Sequence, residues 1–361
     1  MKRALTTAGF ALALLLCLGA ALAAGGDAGD PLISLSYLTE QFSKTFDAAV
    51  DARLDAAGDA LRESVRQSAA FSSAAGGREV LLNTGDALSG ETGLTLIPLA
   101  GDLRLCLEAG ALVDATAGAE APDGSLLSPW RRYIAAEDTR LTLTAEGPTA
   151  VLSVQGDASL LRSASTPDYH AIASALRELG LFRGTGSGVA GGFDLHLAPT
   201  RAEGLVMFIR LLGEEDAALS CTYSHPFQDV PAWLNQYAAW AWEKGYTNGA
   251  APGRFAPNAP ISALEYVEFL LRAMGYSRAG VDNYTTSLDR AVDCGALREG
   301  ERALLEAAPF RRAHAAYLSY YSLEVPLEGG ETLAQHLEEQ GLFTREALTG
   351  AGTLINSPRL P

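Results

Sequence analysis

The chain has 361 residues, a length usual for two or three domains. Its 27 basic and 43 acidic residues give a formal net charge of −16, which argues against nucleic acids and anionic lipid surfaces as partners. Hydrophobic residues make up 48% of the chain, so it is not disordered overall and can fill a sizeable core.

The first 23 residues have the features of an export signal. Lys2 and Arg3 precede the apolar stretch 11–20, and the sequence Ala-Leu-Ala follows at 21–23. The apolar stretch is too short to favour a permanent membrane span. We therefore predict cleavage after Ala23 and an extracellular protein, secreted or held at the cell wall, with no membrane attachment after cleavage.

Residues 24–77 are predicted to form a long amphipathic helix followed by a linker. Between residues 35 and 70, apolar side chains recur at spacings of four and seven, which places them on one side of a helix. These side chains are Leu38, Phe42, Phe46, Val50, Leu54, Leu61 and Val65. The apolar stripe needs a partner, which is either the rest of the chain or a second copy of the helix. In the second case, residues 35–70 make the protein a homo-oligomer.

Between residues 78 and 160 the hydrophobic period changes to two. Leu103, Leu105 and Leu107 alternate with other residues, and turns rich in glycine and aspartate divide such runs. We predict a small all-β module, a roll or sandwich, of six to eight strands. Trp130 lies in a longer connection of this module, where a position in the core is favoured over an exposed platform for a sugar.

Three stretches of the C-terminal half are similar to one another, at residues 167–215, 226–277 and 283–326. Each is predicted to form a helix, a loop and a second helix. A glycine ends the first helix, and the second helix begins at a capping residue whose partner follows three positions later. The matched positions are Gly180, Gly245 and Gly295, then Thr200, Ser262 and Arg311, and finally Glu203, Glu265 and His314. Residues 327–361 form a C-terminal tail.

Short motifs recur within these copies. The central copy begins with Phe-Gln-Asp-Val at 227–230 and continues with glycines at 245 and 249 and Phe-Ala-Pro-Asn at 255–258. The first copy contains Thr-Arg-Ala-Glu at 200–203. Together they resemble S-layer homology repeats in exported proteins of Gram-positive, clostridial-type bacteria. The resemblance implies a C-terminal all-α pseudo-threefold bundle. The whole chain is thus expected to be an α+β multidomain protein with a long N-terminal helix and a small all-β module.

The resemblance also implies a ligand and its site. Grooves between S-layer homology repeats bind secondary cell wall polysaccharide, and the arginine of Thr-Arg-Ala-Glu recognises an anionic, often pyruvylated, sugar. By position, Arg201 is the first candidate for this role and Arg312 the second, because a guanidinium matches a carboxylate through two parallel hydrogen bonds. The other candidates are Thr200 and Glu203 of the same motif and, as groove lining, Asp229 and Trp233. The central copy departs from the family because Ala263 replaces its arginine.

The sequence contains no enzyme motif that stands out. No two of the five histidines lie at metal-ligand spacing, and the cysteines left after cleavage match no zinc pattern. These cysteines, predicted to be buried apolar residues, are Cys106, Cys221 and Cys294. We expect a non-catalytic protein without cofactor or metal. The alternative is a structural or interaction protein with decayed repeats, which self-associates through its N-terminal helix or binds a protein partner.

Overall fold

A computed structural model of the chain describes residues 77–186, 189–278 and 284–361. The predicted signal at 1–23 and the predicted helix within 35–70 lie outside these residues and stay predictions. The described residues combine two antiparallel β-sheets with ten α-helices. This confirms the mixed α+β class that the sequence predicts.

The β region contains ten strands, more than the six to eight expected. They are β1 (Arg78–Asn83), β2 (Ala87–Glu91), β3 (Thr95–Ala100), β4 (Leu103–Ala109), β5 (Leu112–Asp114), β6 (Ala119–Ala121), β7 (Tyr133–Ala135), β8 (Arg140–Ala145), β9 (Thr149–Gln155) and β10 (Ala158–Leu161). One sheet has the order β1-β9-β3-β7-β5-β6 and the other the order β10-β2-β8-β4. The count differs because β5, β6 and β7 have three residues each, too few to show alternation in the sequence.

The two sheets share one apolar core, so the β region is a sandwich. Leu82 and Leu96 of the first sheet and Leu88, Leu105 and Leu143 of the second are fully buried in this core. Because successive side chains of a strand point to opposite faces, the polar residues between them face solvent. The alternation of apolar and other residues in the sequence therefore reflects the packing of one sheet on the other.

The rest of the described chain is mainly helical. The helices are α1 (Tyr169–Glu178), α2 (Arg201–Leu211), α3 (Glu215–Ser220), α4 (Asn235–Glu243), α5 (Ala263–Met274), α6 (Ser287–Asp293), α7 (Glu299–Ala307), α8 (Arg312–Ser322), α9 (Leu333–Glu339) and α10 (Arg345–Gly352). They enclose a second core, to which α9 and α10 contribute Leu337 and Ala351, so part of the predicted tail belongs to the helical body. None of the described helices has the length and apolar character needed to span a bilayer.

The predicted capping boxes are confirmed. Thr200 caps α2 and Ser262 caps α5, and in each case the glutamate three residues later accepts a hydrogen bond from the backbone of the capping residue. Helix α9 starts in the same way at Thr332, with Gln335 as the reciprocal partner. These boxes satisfy amide groups at the start of a helix that have no partner within it.

The β sandwich is joined to α1 by a small polar network. The Asn83 side chain donates to the Asp168 carboxylate over 3.2 Å and accepts from the Tyr169 amide over 3.2 Å. Asp168 also caps α1 by accepting from the Ala171 amide. One asparagine therefore links the end of β1 to the first turn of the helical region.

A buried carboxylate ties α5 to α6. Glu268 of α5 is fully buried and accepts hydrogen bonds from Arg272 over 2.8 Å and Ser287 over 2.9 Å, with further contacts from Ser277 and Arg290. A buried charge is tolerated only when it is paired and hydrogen-bonded. Glu268 meets both conditions through partners from three separate segments of the chain.

A second buried carboxylate holds the C-terminal residues. Glu301 of α7, which is almost fully buried, accepts from both Nε and Nη2 of Arg359, over 2.6 and 2.9 Å. The Tyr317 hydroxyl of α8 donates to the same carboxylate over 2.8 Å. The last residues are therefore anchored on the helical body through an arginine in the tail.

Two expectations about single side chains are wrong. Trp130 is not in the core, because 62% of its surface is exposed. Cys106 is also exposed, since it lies on the outward-facing side of β4, and Cys221 and Cys294 are half-buried. The alternation of apolar residues assigns a side chain to the inner or the outer face of a sheet only within a strand, and Trp130 lies in a connection between two strands.

We predict that Glu268→Ala destabilises the protein by about 3–5 kcal/mol, because it leaves two arginines near a buried site without their carboxylate. The matched control is Glu306→Ala. Its carboxylate also pairs with an arginine, Arg302, but is half-exposed, so its loss costs at most about 1 kcal/mol. Urea unfolding followed by circular dichroism measures both changes. Equal destabilisation by the two substitutions would contradict a structural role for Glu268.

Candidate functional site

The first turn of α2 lies against a loop of the next repeat. The Arg201 amide donates to the Ala259 carbonyl over 2.8 Å, and the Ala202 amide donates to the Pro257 carbonyl over 3.1 Å. In return, the Ile261 amide donates to the Pro199 carbonyl over 3.0 Å. Amide groups at the start of a helix are thus paired with carbonyls of another repeat. We call this contact the α2 junction.

Helix α8 repeats the same contact with a different loop. The Arg312 amide donates to the Leu197 carbonyl over 2.9 Å, and the Ala313 amide to the Leu195 carbonyl over 3.0 Å. The two loops are related by an offset of 62 positions, since Leu195 corresponds to Pro257 and Leu197 to Ala259. We call this contact the α8 junction.

The two loops also share an unusual backbone conformation. Ala256 has φ = 58° and its counterpart Asp194 has φ = 49°, both in the left-handed region that residues other than glycine rarely adopt. Within the described residues, the amides of Ala263 and Leu264 at the start of α5 make no matching backbone contact. The third repeat therefore docks on the first, and the first on the second, without a third junction of this kind in the described chain.

Arg201 lies inside the α2 junction. Its side chain is 2% exposed, its Nε donates to the Phe255 carbonyl over 2.8 Å, and its Nη1 contacts the Glu265 carboxylate. The guanidinium carbon lies 5.1 Å from the centre of the Phe255 ring. The Nη2 atom is buried and has no hydrogen-bond partner among the described residues. Arg201 is thus an internal ion-pair partner with one nitrogen, Nη2, that donates to no described residue.

Arg312 occupies the equivalent place in the α8 junction, and all three of its nitrogens have partners. Its Nε donates to the Phe193 carbonyl over 2.9 Å, its Nη1 to the Met207 sulfur over 3.4 Å, and its Nη2 to the Arg183 carbonyl over 3.5 Å. Burial lowers the pKa of the Arg312 guanidinium. No carboxylate among the described residues forms a salt bridge with it.

The remaining predicted site residues have different surroundings. Thr200 and Glu203 form the capping box of α2. Asp229 accepts hydrogen bonds from the Phe255 and Ala256 amides, each over 2.8 Å. Burial acts to raise the pKa of the Asp229 carboxyl, but these hydrogen bonds outweigh it and the pKa is lowered. Asp229 therefore shapes the loop that receives Arg201.

Trp233 belongs to a short 3₁₀ turn, Ala232–Leu234, and 59% of its surface is exposed. Among the described residues, the Trp233 indole makes no hydrogen bond, ring contact or cation–π contact with Arg201 or Arg312. Sequence analysis missed two residues of the α2 junction. It interpreted Glu265 only as the partner in a capping box, and it assigned Phe255 no role in the site. The constant offset of 62 positions between Phe193–Glu203 and Phe255–Glu265 is the signal that points to them.

The α2 junction has the chemistry of an anion-recognition site. A guanidinium with a free donor lies at the N-terminus of an eleven-residue helix, where the helix dipole favours negative charge. The Glu265 carboxylate already occupies part of this position. A ligand carboxylate must therefore share the arginine with Glu265 or displace it.

Comparison with known proteins gives a partial similarity. No protein-family model matches the chain, so the resemblance to S-layer homology repeats stands on the residues alone. Over 152 residues, 40% of the chain, it is 29% identical to a protein described as a cell surface protein of Thermoanaerobacter kivui. The matched part makes up 19% of that protein. The chain is distantly similar to a segment of a cell surface protein.

We predict that acid weakens the α8 junction through His314. The Nδ1 atom of this buried histidine accepts from the Arg311 amide over 3.1 Å, which requires the neutral ring. Burial and the charge of Arg311 lower the pKa of His314 to about 4, and burial also lowers that of His170 to about 4. An unfolded histidine titrates near 6.5, so the unfolded state binds more protons between about pH 6.5 and 4. The contribution of these histidines to the free energy of unfolding is therefore fully present above pH 6.5, and it decreases as the pH is lowered.

The measurement is the melting temperature at pH 7 and at pH 5. His314→Gln should remove part of the decrease, since His170 and His196, whose pKa burial also lowers, remain, and a glutamine at this position keeps the capping box, as Gln335 does in α9. His336→Gln is the control because that ring is well exposed. An unchanged decrease in His314→Gln would show that this ring does not carry the effect.

Proposed function

We propose that the protein is a non-catalytic protein of the bacterial cell surface that attaches to anionic wall polysaccharide through its helical repeats. The repeats form a pseudo-threefold bundle of the S-layer homology type. The partial similarity to a cell surface protein and the export signal predicted from the sequence support the location. The repeated docking of one helix start on the loop of another repeat supports the repeat organisation.

The observation that carries the proposal is the unused donor of Arg201. A buried donor without a partner is costly, and a ligand carboxylate that accepts from Nη2 recovers this cost. Glu265 is 21% exposed at its side chain, so its carboxylate can turn towards solvent while the ligand takes its place, at the cost of the hydrogen bond that it accepts from the Ser262 amide. The ligand carboxylate then receives two parallel hydrogen bonds from one guanidinium.

Arg312 has a purely structural role in this proposal, because it holds the α8 junction together. Each of its nitrogens is already used by the protein, and the residue is buried. Binding therefore relies on one arginine site and is weaker than binding by three grooves, because avidity falls as sites are lost.

A second candidate function has an observation in its favour. If both arginines serve only to hold the repeats together, the helical body is a scaffold and the protein binds a protein partner or another copy of itself. The complete use of Arg312 and the presence of Ala263 at the third arginine position favour this candidate. The two candidates differ in whether the protein binds isolated cell walls.

We expect Arg201→Lys to reduce cosedimentation with purified cell-wall sacculi by about tenfold in apparent affinity, because lysine keeps the charge but loses the planar fork. Arg312→Lys is the matched control. It changes the same position of the equivalent junction, where every guanidinium nitrogen already has a partner, and we expect it to alter the melting temperature and leave wall binding unchanged.

Three results would contradict the proposed site. They are failure of the unmodified chain to cosediment, wall binding by Arg201→Lys equal to that of the unmodified chain, and equal losses in the two variants. The first supports the scaffold. The third assigns wall binding to the folded bundle as a whole. Melting curves of both variants establish that each is folded at the temperature of the assay.

A further inference from the structure

A cleft of about 310 Å³ lies between the β sandwich and the helical region. The sandwich contributes Trp130 and Asp102, and the helical region contributes His196, Leu197 and Arg311. The cleft shares none of these residues with the α2 junction. Its volume is at the lower end of the range for small-molecule sites, and its lining combines apolar surface with a few polar groups.

Trp130 has a strained backbone conformation although its side chain is largely exposed. Its φ of 63° is in the left-handed region, which is strained for a bulky residue, and 62% of its surface is exposed. Its amide donates to the Pro98 carbonyl over 2.8 Å, and the neighbouring amides of Ser128 and Arg132 donate to side-chain oxygens over 2.9 and 3.0 Å. The loop is therefore fixed on both sides of an indole that contributes little to the core. Such strain is maintained by the surrounding structure and is typical of binding sites.

Arg311 supplies the positive charge of the cleft. It is half-buried and, within the described residues, forms no salt bridge. Arg311 also occupies the position where the other repeats have the helix-capping residues Thr200 and Ser262, and its helix is capped through the ring of His314. The guanidinium is thus not needed for the cap that its position usually provides.

We infer that this cleft binds a saccharide that carries a carboxylate group. The indole of Trp130 stacks on the apolar face of the sugar ring, and Arg311 pairs with the carboxylate. His196 and Asp102, which flank the cleft from opposite sides, hydrogen-bond to hydroxyl groups of the ring. A carboxylate fits better than a phosphate monoester, because the cleft has one guanidinium and the Asp102 carboxylate in the same lining opposes a second negative charge. A fixed, exposed aromatic ring beside hydroxyl-binding groups favours a sugar over a free carboxylic acid.

The inference is independent of wall attachment through Arg201. It concerns a different surface, and it holds whether or not the repeats bind wall polymer. The test therefore follows the Trp130 side chain itself.

The experiment is an NMR titration of the chain from residue 24 onwards, labelled with ¹⁵N at tryptophan. The chain has four tryptophans, so it gives four indole signals, and the one that disappears in Trp130→Phe belongs to Trp130. The probes are methyl β-D-glucuronide and methyl β-D-glucoside, which differ only in the carboxylate. We expect the glucuronide to shift the Trp130 signal and to bind about tenfold more tightly than the glucoside.

We expect Arg311→Ala to remove this preference and to leave the weak binding of the glucoside unchanged. Arg345→Ala is the matched control, because Arg345 is an exposed arginine at the start of α10, away from the cleft. The glucuronide affinity of this control should equal that of the unmodified chain. Melting curves verify that all variants are folded.

Several outcomes would overturn the inference. They are a Trp130 signal that neither sugar shifts, equal affinities for the two sugars, an unchanged preference in Arg311→Ala, and a response confined to the Trp233 signal. A shift of the Trp130 signal by an acetylated triglutamate peptide but not by the glucuronide would assign the cleft to acidic peptides and also overturn it.

Discussion

The arrangement of the helical region depends on hydrogen bonds to the backbone amides at the starts of two helices, α2 and α8. The first amides of an α-helix have no partner within the helix, and when the helix start is buried they require carbonyl groups from elsewhere. In this protein the partners of α2 and α8 are backbone carbonyls from a loop of another repeat, in the same pattern at both junctions. Because these contacts use the backbone, they tolerate changes of side chain. Pro257 and Ala259 in one loop are replaced by Leu195 and Leu197 in the other.

An arginine completes each junction, and its surroundings decide what else it can do. Arg201 faces a carboxylate, Glu265, so its charge is compensated, and the ligand that we propose would compete with this carboxylate. Arg312 has a carbonyl, a sulfur and a second carbonyl as partners, and burial lowers its pKa. A ligand carboxylate can compete with the carboxylate that pairs with Arg201, whereas at Arg312 it would have to displace two carbonyl groups and a sulfur. Two copies of one motif can thus differ in function while their backbone contacts remain the same.

Local structure could be predicted from the sequence, whereas the exposure of individual side chains could not. The capping boxes at Thr200 and Ser262 depend on residues three positions apart, and the alternation of Leu103 and Leu105 depends on the strand alone, so both could be read from the chain. The burial of Arg201 could not, because it is the loop around Phe255, more than fifty residues away, that covers the side chain. The offset of 62 positions relates the two loops, but only the folded chain shows which helix start each loop receives.

Net charge and local charge have different consequences for ligand choice. A formal charge of −16 repels an anionic polymer at long range, yet salt at physiological concentration screens exposed charges beyond about 8 Å. Within that distance, the attraction of an anionic ligand depends on whether a cationic side chain already pairs with a carboxylate of the protein. Many of the arginines in the described residues face carboxylates, as Arg104 faces Glu146 and Arg345 faces Glu338. Arg311 is among the arginines that make no salt bridge in the described chain, and it is half-buried beside an exposed indole. An acidic protein can therefore still offer a cation to a carboxylate-bearing ligand where an arginine has no carboxylate partner of its own, as we infer for Arg311.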